Sequence, residues 1–92
     1  MAQARSEVVI RNKLGLHARP AMAFVDLASK FASDIRVSKA AGKEVVDGKS
    51  IMQMLLLAAT QGTRLNVTAD GPDSKDALRA LEALVRANFN EE

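Results

Sequence analysis

His17, Arg19 and Pro20 stand within one short run, Asn12-Lys-Leu-Gly-Leu-His-Ala-Arg-Pro20, and His17 is the only histidine in the chain. A helical pattern follows directly. Proline suits the first turn of a helix, where its missing N–H loses no intrahelical bond. His17 is therefore expected at or just before a helix N-terminus, with a loop bearing Gly15 leading in. Backbone N–H groups and the positive end of the helix dipole meet there and favour an anion such as phosphate. Arg19 adds a planar cation that matches phosphate oxygens. Neutral imidazole is populated at cytoplasmic pH and carries a lone pair able to attack phosphorus. The chemistry predicted is a phosphoryl group held on His17 as a labile N–P bond and then passed on. A lone histidine is more often a plain surface or capping residue. Arg19 argues otherwise, because a cation in the first turn opposes the dipole and so calls for a functional reason.

Ser50 is a second candidate. With Gln53 it forms a Ser-x-x-Gln capping box, which alone explains a serine there. The helix it opens is apolar almost all round, with Ile51, Met52, Met54, Leu55, Leu56 and Leu57. In a two-layer domain only one face can lie on a sheet. Some of these side chains are expected to stay exposed as a partner surface, where methionine adapts to several shapes. Gly48-Lys49-Ser50 also invites a nucleotide-loop reading, but the glycine required at position 43 is Lys43.

The elements that must position these residues follow from periodicity. Strands are expected at Ser6 to Arg11, Asp34 to Lys39, Lys43 to Val46 and Arg64 to Ala69. Helical spacing runs from Ala18 to Ala32, with Ala21, Phe24, Val25, Ala28, Phe31 and Ala32 apolar. A short helix spans Ser50 to about Ala59 and stops at Gly62. A last helix starts at Asp73 or Ser74, with Leu78, Leu81, Val85 and Phe89 as its buried stripe. The order βαββαβα predicts an α+β open-faced sandwich, with a ferredoxin-like sheet possible from element order alone.

Bulk composition narrows the classes. Ninety-two residues, 48% hydrophobic, fit one domain over 1–92. There is no cysteine and one histidine, so neither thiol chemistry nor a structural zinc site is expected. No apolar run suggests a signal peptide or membrane span, and a cytoplasmic protein is the default. Thirteen Lys and Arg against eleven Asp and Glu, with only three aromatics, argue against a nucleic-acid-binding sheet.

Leu16-His-Ala-Arg-Pro-Ala21 resembles the active-site motif of HPr, the histidine-containing phosphocarrier family of the bacterial phosphoenolpyruvate:sugar phosphotransferase system. Asp47-Gly-Lys-Ser50-Ile-Met resembles that family's regulatory serine segment, at a fitting distance. The resemblance implies an antiparallel four-stranded sheet covered by three helices. It implies phosphorylation of the δ1 nitrogen of His17, with Arg19 steadying phosphate oxygens. It also implies Ser50 as a kinase target and Ile51, Met52 and Leu55 as docking residues. The partners implied are enzyme I, IIA-type proteins and an HPr kinase/phosphorylase, with no cofactor and a monomeric carrier that is a relay substrate and not an enzyme. One position departs. Leu14 stands where HPr proteins often have a small polar residue, and Lys13-Leu14-Gly15 looks more like the nitrogen-related branch, NPr. The alternative readings are therefore that branch, or a purely regulatory binding module of the same system.

Overall fold

A computed structural model of the chain describes residues 3–90. Its elements are β1 (Gln3–Val9), α1 (Ala18–Ala28), β2 (Asp34–Lys39), β3 (Val45–Asp47), α2 (Ile51–Leu56), β4 (Arg64–Asp70), α3 (Ser74–Arg86) and a terminal 3₁₀ turn (Asn88–Asn90). Strand order is β1-β4-β2-β3, and every pairing is antiparallel. A ferredoxin-like sheet would place β1 in the interior, between β4 and β3, whereas here β1 is an edge strand paired only with β4, so that alternative is set aside. Period-two alternation turns Val8, Ile35, Val37, Val46, Leu65, Val67 and Ala69 to one face. Phe24, Ala21 and Ala28 of α1, Met54 of α2 and Leu78, Leu81 and Val85 of α3 complete the core on that face. The other face carries Arg5, Glu7, Arg36, Asn66 and Thr68. No helix among the described residues is long and apolar enough to cross a membrane.

Several boundaries differ from the sequence reading, each for a local reason. β1 begins three residues earlier, because the polar stretch Gln3–Arg5 pairs with Thr68–Asp70 although it lacks an apolar signal. It ends at Val9: the Ile10 N–H donates to the Thr63 carbonyl (2.9 Å) and Ile10's own carbonyl accepts from Gly62 N–H (2.7 Å), within a loop. α1 stops at Ala28, four residues short. Its exit tightens into three-residue bonds, Lys30 N–H to Leu27 and Phe31 N–H to Ala28 (3.1 and 3.2 Å). Beyond it, Asp73 reaches back across the fold. One carboxylate oxygen accepts from Ala32 N–H (2.8 Å), the other from Ser33 N–H (2.9 Å) and the Ser33 hydroxyl (2.6 Å). Asp73 is the N-cap residue of α3, yet its side chain makes no cap bond, since it is spent on this clamp. The clamp holds the Asp73 carboxyl below its ordinary value, through the Ser33 hydroxyl first and the Ala32 N–H next, with burial opposing.

β3 occupies Val45–Asp47, since the register pairs Ser38 with Val45 and Arg36 with Asp47 and leaves Lys43 and Glu44 outside. β4 extends to Asp70. α2 is shorter than predicted and Gly62 does not stop it. Ala58 does, with φ +50°. Phe89 is buried as expected but lies past α3, in a left-handed stretch where Asn88, Phe89 and Asn90 all have positive φ. Left-handed backbone costs about 1–2 kcal/mol for an ordinary L-residue. Full burial of a phenylalanine returns about 1.5–3 kcal/mol, so packing wins at Phe89. The asparagines on either side tolerate the conformation by type.

Candidate functional site

The site loop runs from Ile10 to His17, between β1 and α1. Two glycine-dependent features shape its floor. Gly15 has φ +68°, and a β-carbon there would meet the Ala59 carbonyl oxygen at 2.5 Å. That close approach lets Leu16 N–H donate to the same carbonyl (2.8 Å). The left-handed residue Ala58 turns the chain out of α2 just in time to present Ala59. Asn12 closes the loop on itself. Its amide nitrogen donates to the Gly15 carbonyl (2.7 Å), while Gly15 N–H donates to the Asn12 carbonyl (3.1 Å). Gln61 adds a bond from its side-chain amide to the Arg11 carbonyl (2.9 Å). The loop is thus held by residues 59–63.

This framework delivers His17 as the N-cap of α1. Its backbone is extended (φ −80°, ψ −171°), and its carbonyl starts the helix by accepting from Ala21 N–H (3.0 Å). The imidazole is half-buried and makes no cap hydrogen bond. An N-cap histidine leaves the first-turn N–H groups to whatever its side chain carries. Arg19 is exposed in that first turn, which has no acidic residue. Pro20 is buried beneath it. The arrangement suits phosphate: a nitrogen nucleophile, oriented N–H groups, the helix dipole and one exposed cation.

Ser50 is the N-cap of α2 and its hydroxyl accepts from Gln53 N–H (3.3 Å). The expected capping box is only half formed. The Gln53 side chain reaches past Ser50 to accept from Asp47 N–H (2.9 Å). Asp47 in turn accepts from Lys49 N–H through its carboxylate (2.9 Å) and from Ser50 N–H through its carbonyl (3.1 Å). Gly48 presses against β2, where a β-carbon would meet the Ile35 side chain at 2.5 Å. Lys49 crosses to the Phe31 carbonyl beyond α1 (2.7 Å). The Asp-Gly-Lys-Ser block is therefore a tight turn that aims α2, with no room for a nucleotide loop.

α2 divides sharply. Met54 is fully buried and Leu57 nearly so, whereas Met52 is 73% exposed and Leu56 67%. Leu55 is at the margin of exposure, and Ile51 is partly buried against the core. α1 packs on α2 and contributes exposed Met22; the site loop contributes Leu14, 76% exposed. Asn12 and Ala59 escaped the sequence reading. An asparagine three residues before a glycine is a turn signal that could have flagged Asn12. Nothing local marks Ala59, since only its carbonyl is used.

A family model described as the PTS HPr component phosphorylation site matches residues 4–87. The chain belongs to the HPr family of phosphotransferase-system phosphocarriers. Phosphocarrier protein HPr of Pseudomonas aeruginosa is 44% identical over 85 residues, covering 92% of this chain and 93% of that one. Phosphocarrier protein NPr of Proteus mirabilis is 39% identical over 92 residues, the whole of both chains. A crystal structure of HPr from Thermoanaerobacter tengcongensis superposes with a TM-score of 0.90 at 43% identity, over 97% of this chain and 98% of that one. Another HPr structure from that organism, of a dimer, has a TM-score of 0.76 at 44% identity, over 91% and 94%. HPr-family membership makes the chain a phosphocarrier with partners in the phosphotransferase system.

Proposed function

We propose that the chain relays a phosphoryl group on His17 from enzyme I, charged by phosphoenolpyruvate, to IIA-type acceptors. The observation that carries this reading is the N-cap position of His17, with its imidazole outside the cap bonding and Arg19 exposed beside it. The lone pair of one imidazole nitrogen attacks the phosphorus on the donor histidine. As that N–P bond forms, the donor's N–P bond breaks and its electron pair returns to the donor ring. The second transfer repeats the exchange toward the acceptor. The family resemblance favours the δ1 nitrogen. First-turn N–H groups and Arg19 hold the oxygens during in-line transfer, where positioning and charge supply most of the catalysis. The chain is a co-substrate of the relay, cytoplasmic and monomeric in action, and folds as one domain over 1–92.

Docking is assigned to Met52, Leu55 and Ile51 of α2. Ser50 is assigned a regulatory role: a kinase would transfer phosphate from a nucleotide to its hydroxyl. A phosphoserine at the N-cap gains from the dipole while placing about two negative charges beside the apolar surface. The nitrogen-related branch remains the second reading, favoured by the exposed Leu14. The deciding experiment is incubation with phosphoenolpyruvate and enzyme I, followed by mass analysis and an acid-lability test. An acid-labile adduct on His17 is expected, and Arg19→Ala slows its formation without lowering stability. An acid-stable adduct, or none, sinks the relay.

A further inference from the structure

The chain has no cysteine, so its only sulfur lies in four methionines, Met1, Met22, Met52 and Met54. Met1 falls outside the described residues. The other three divide sharply. Met54 is fully buried, whereas Met22 is 54% exposed and Met52 73%. Methionine is among the residue types most often found inside a protein. Exposed Leu14, Leu55 and Leu56 already supply apolar surface without sulfur. What the methionines add is a flexible fit and a thioether open to water.

The two exposed residues occupy corresponding places. Met52 stands in the first turn of α2, two residues after Ser50. Met22 follows Arg19 by three residues in α1, the spacing of neighbours on a helix surface. α1 and α2 pack on each other. On the proposed relay, both methionines belong to the surface a partner covers to reach His17.

A thioether in water is open to a hydroperoxide. A sulfur lone pair attacks one peroxide oxygen and the O–O bond breaks. The departing hydroxide takes the proton that the transferred oxygen sheds. One sulfoxide and one water result, with the sulfur oxidised by two electrons and the peroxide reduced by two. The new oxygen accepts hydrogen bonds from water. Covering it with an apolar partner surface removes those bonds and so disfavours docking. Met54, sealed in the core, is out of the oxidant's reach, so the packing beneath α2 is untouched. We infer that Met22 and Met52 form a reversible oxidation site through which a hydroperoxide weakens partner docking without unfolding the carrier. The inference rests on the relay proposed above. It is distinct from a phosphoserine at Ser50, because no charge is added.

The test treats the full chain with hydrogen peroxide, removes the oxidant, and measures phosphoryl transfer from enzyme I before and after. Peptide mass analysis locates the added oxygen. Met22 and Met52 are expected to gain one oxygen each and Met54 none, with the melting temperature near that of the untreated chain. The transfer rate should fall at least about tenfold and recover after methionine sulfoxide reductase acts. Met22→Leu/Met52→Leu, scored against its own untreated rate, should lose little. Oxygen on Met54 as early as on Met52, an unchanged rate, or a loss that the reductase does not repair overturns the site. An equal loss in the double variant places the damage elsewhere and also overturns it. Repair needs no variant, so it decides the matter if the double variant unfolds. A chain that accepts no phosphoryl group before any peroxide is added sinks the relay itself, and the docking effect with it.

Discussion

Two helices in this molecule begin on a residue able to accept a phosphoryl group, and the two beginnings differ. At α2 the Ser50 hydroxyl is engaged in its helix, accepting from Gln53 N–H. At α1 the His17 imidazole makes no cap bond, and its carbonyl starts the helix by accepting from Ala21 N–H. A cap residue that closes its helix stabilises the fold; one that leaves the helix end open keeps that end for an incoming group. Modification at His17 would complete a helix end, whereas modification at Ser50 would act on an end already complete. That contrast fits a transfer role for the first and a switching role for the second.

The sharpest way to break the contrast is His17→Ala. All acid-labile phosphorylation by enzyme I is expected to vanish, while the chain still folds, since His17 lies outside the hydrophobic core. Retained phosphorylation, read by mass analysis, would dissolve the distinction. Gly15→Ala comes next. It forces an L-residue into left-handed backbone against the Ala59 carbonyl, so stability should fall by about 1–3 kcal/mol, with slower transfer as the His17 loop shifts. Urea unfolding and transfer kinetics check both. If neither moves, the loop is not held at Ala59.

Ser50 gives a smaller effect with opposite signs in two variants. Ser50→Ala loses a cap worth about 0.5–2 kcal/mol but keeps the surface neutral, so docking persists. Ser50→Asp keeps the cap acceptor and favours the dipole, so melting holds, while its charge beside Met52 and Leu55 raises the enzyme I Michaelis constant. A variant that melts and transfers like wild type reduces Ser50 to a cap. Asp73 gives the smallest effect and serves as a control away from both caps. Its carboxyl is held below its ordinary value, so its contribution is complete above about pH 4 and fades as pH falls through the lowered value. Asp73→Asn should flatten that acid limb of a melting-temperature profile and leave transfer at neutral pH unchanged. An identical acid limb would remove the clamp from the account.

Much of this was legible in the chain because it is written in local chemistry. β2 falls on its predicted bounds because Ile35 and Val37 alternate with charged neighbours. His17 falls on the N-cap because Pro20 requires a first turn. What escaped is non-local. Asp73 reads as a capping residue by type, yet its carboxylate serves Ala32 and Ser33, some forty positions earlier. Gln3–Arg5 are strand because β4 offers them a ladder, not because of their own pattern. Ala58 stops α2 in a conformation that alanine seldom adopts, for the sake of a contact with Leu16. Propensity describes a residue's preferences, and at each of these positions a distant partner outweighs them.

The strand order has a consequence for synthesis. β1 is made first but pairs only with β4, whose residues are translated some sixty positions later. The His17 loop likewise waits for Ala59, Gly62 and Thr63 before its backbone bonds can close. Bringing such ends together carries a loop-closure penalty that early contacts cannot offset. A nascent chain that has displayed His17 and the whole of α1 still lacks the strand and the strap that shape the loop. On the proposed relay, the emerging polypeptide is therefore expected to become a substrate only after β4 has left the ribosome.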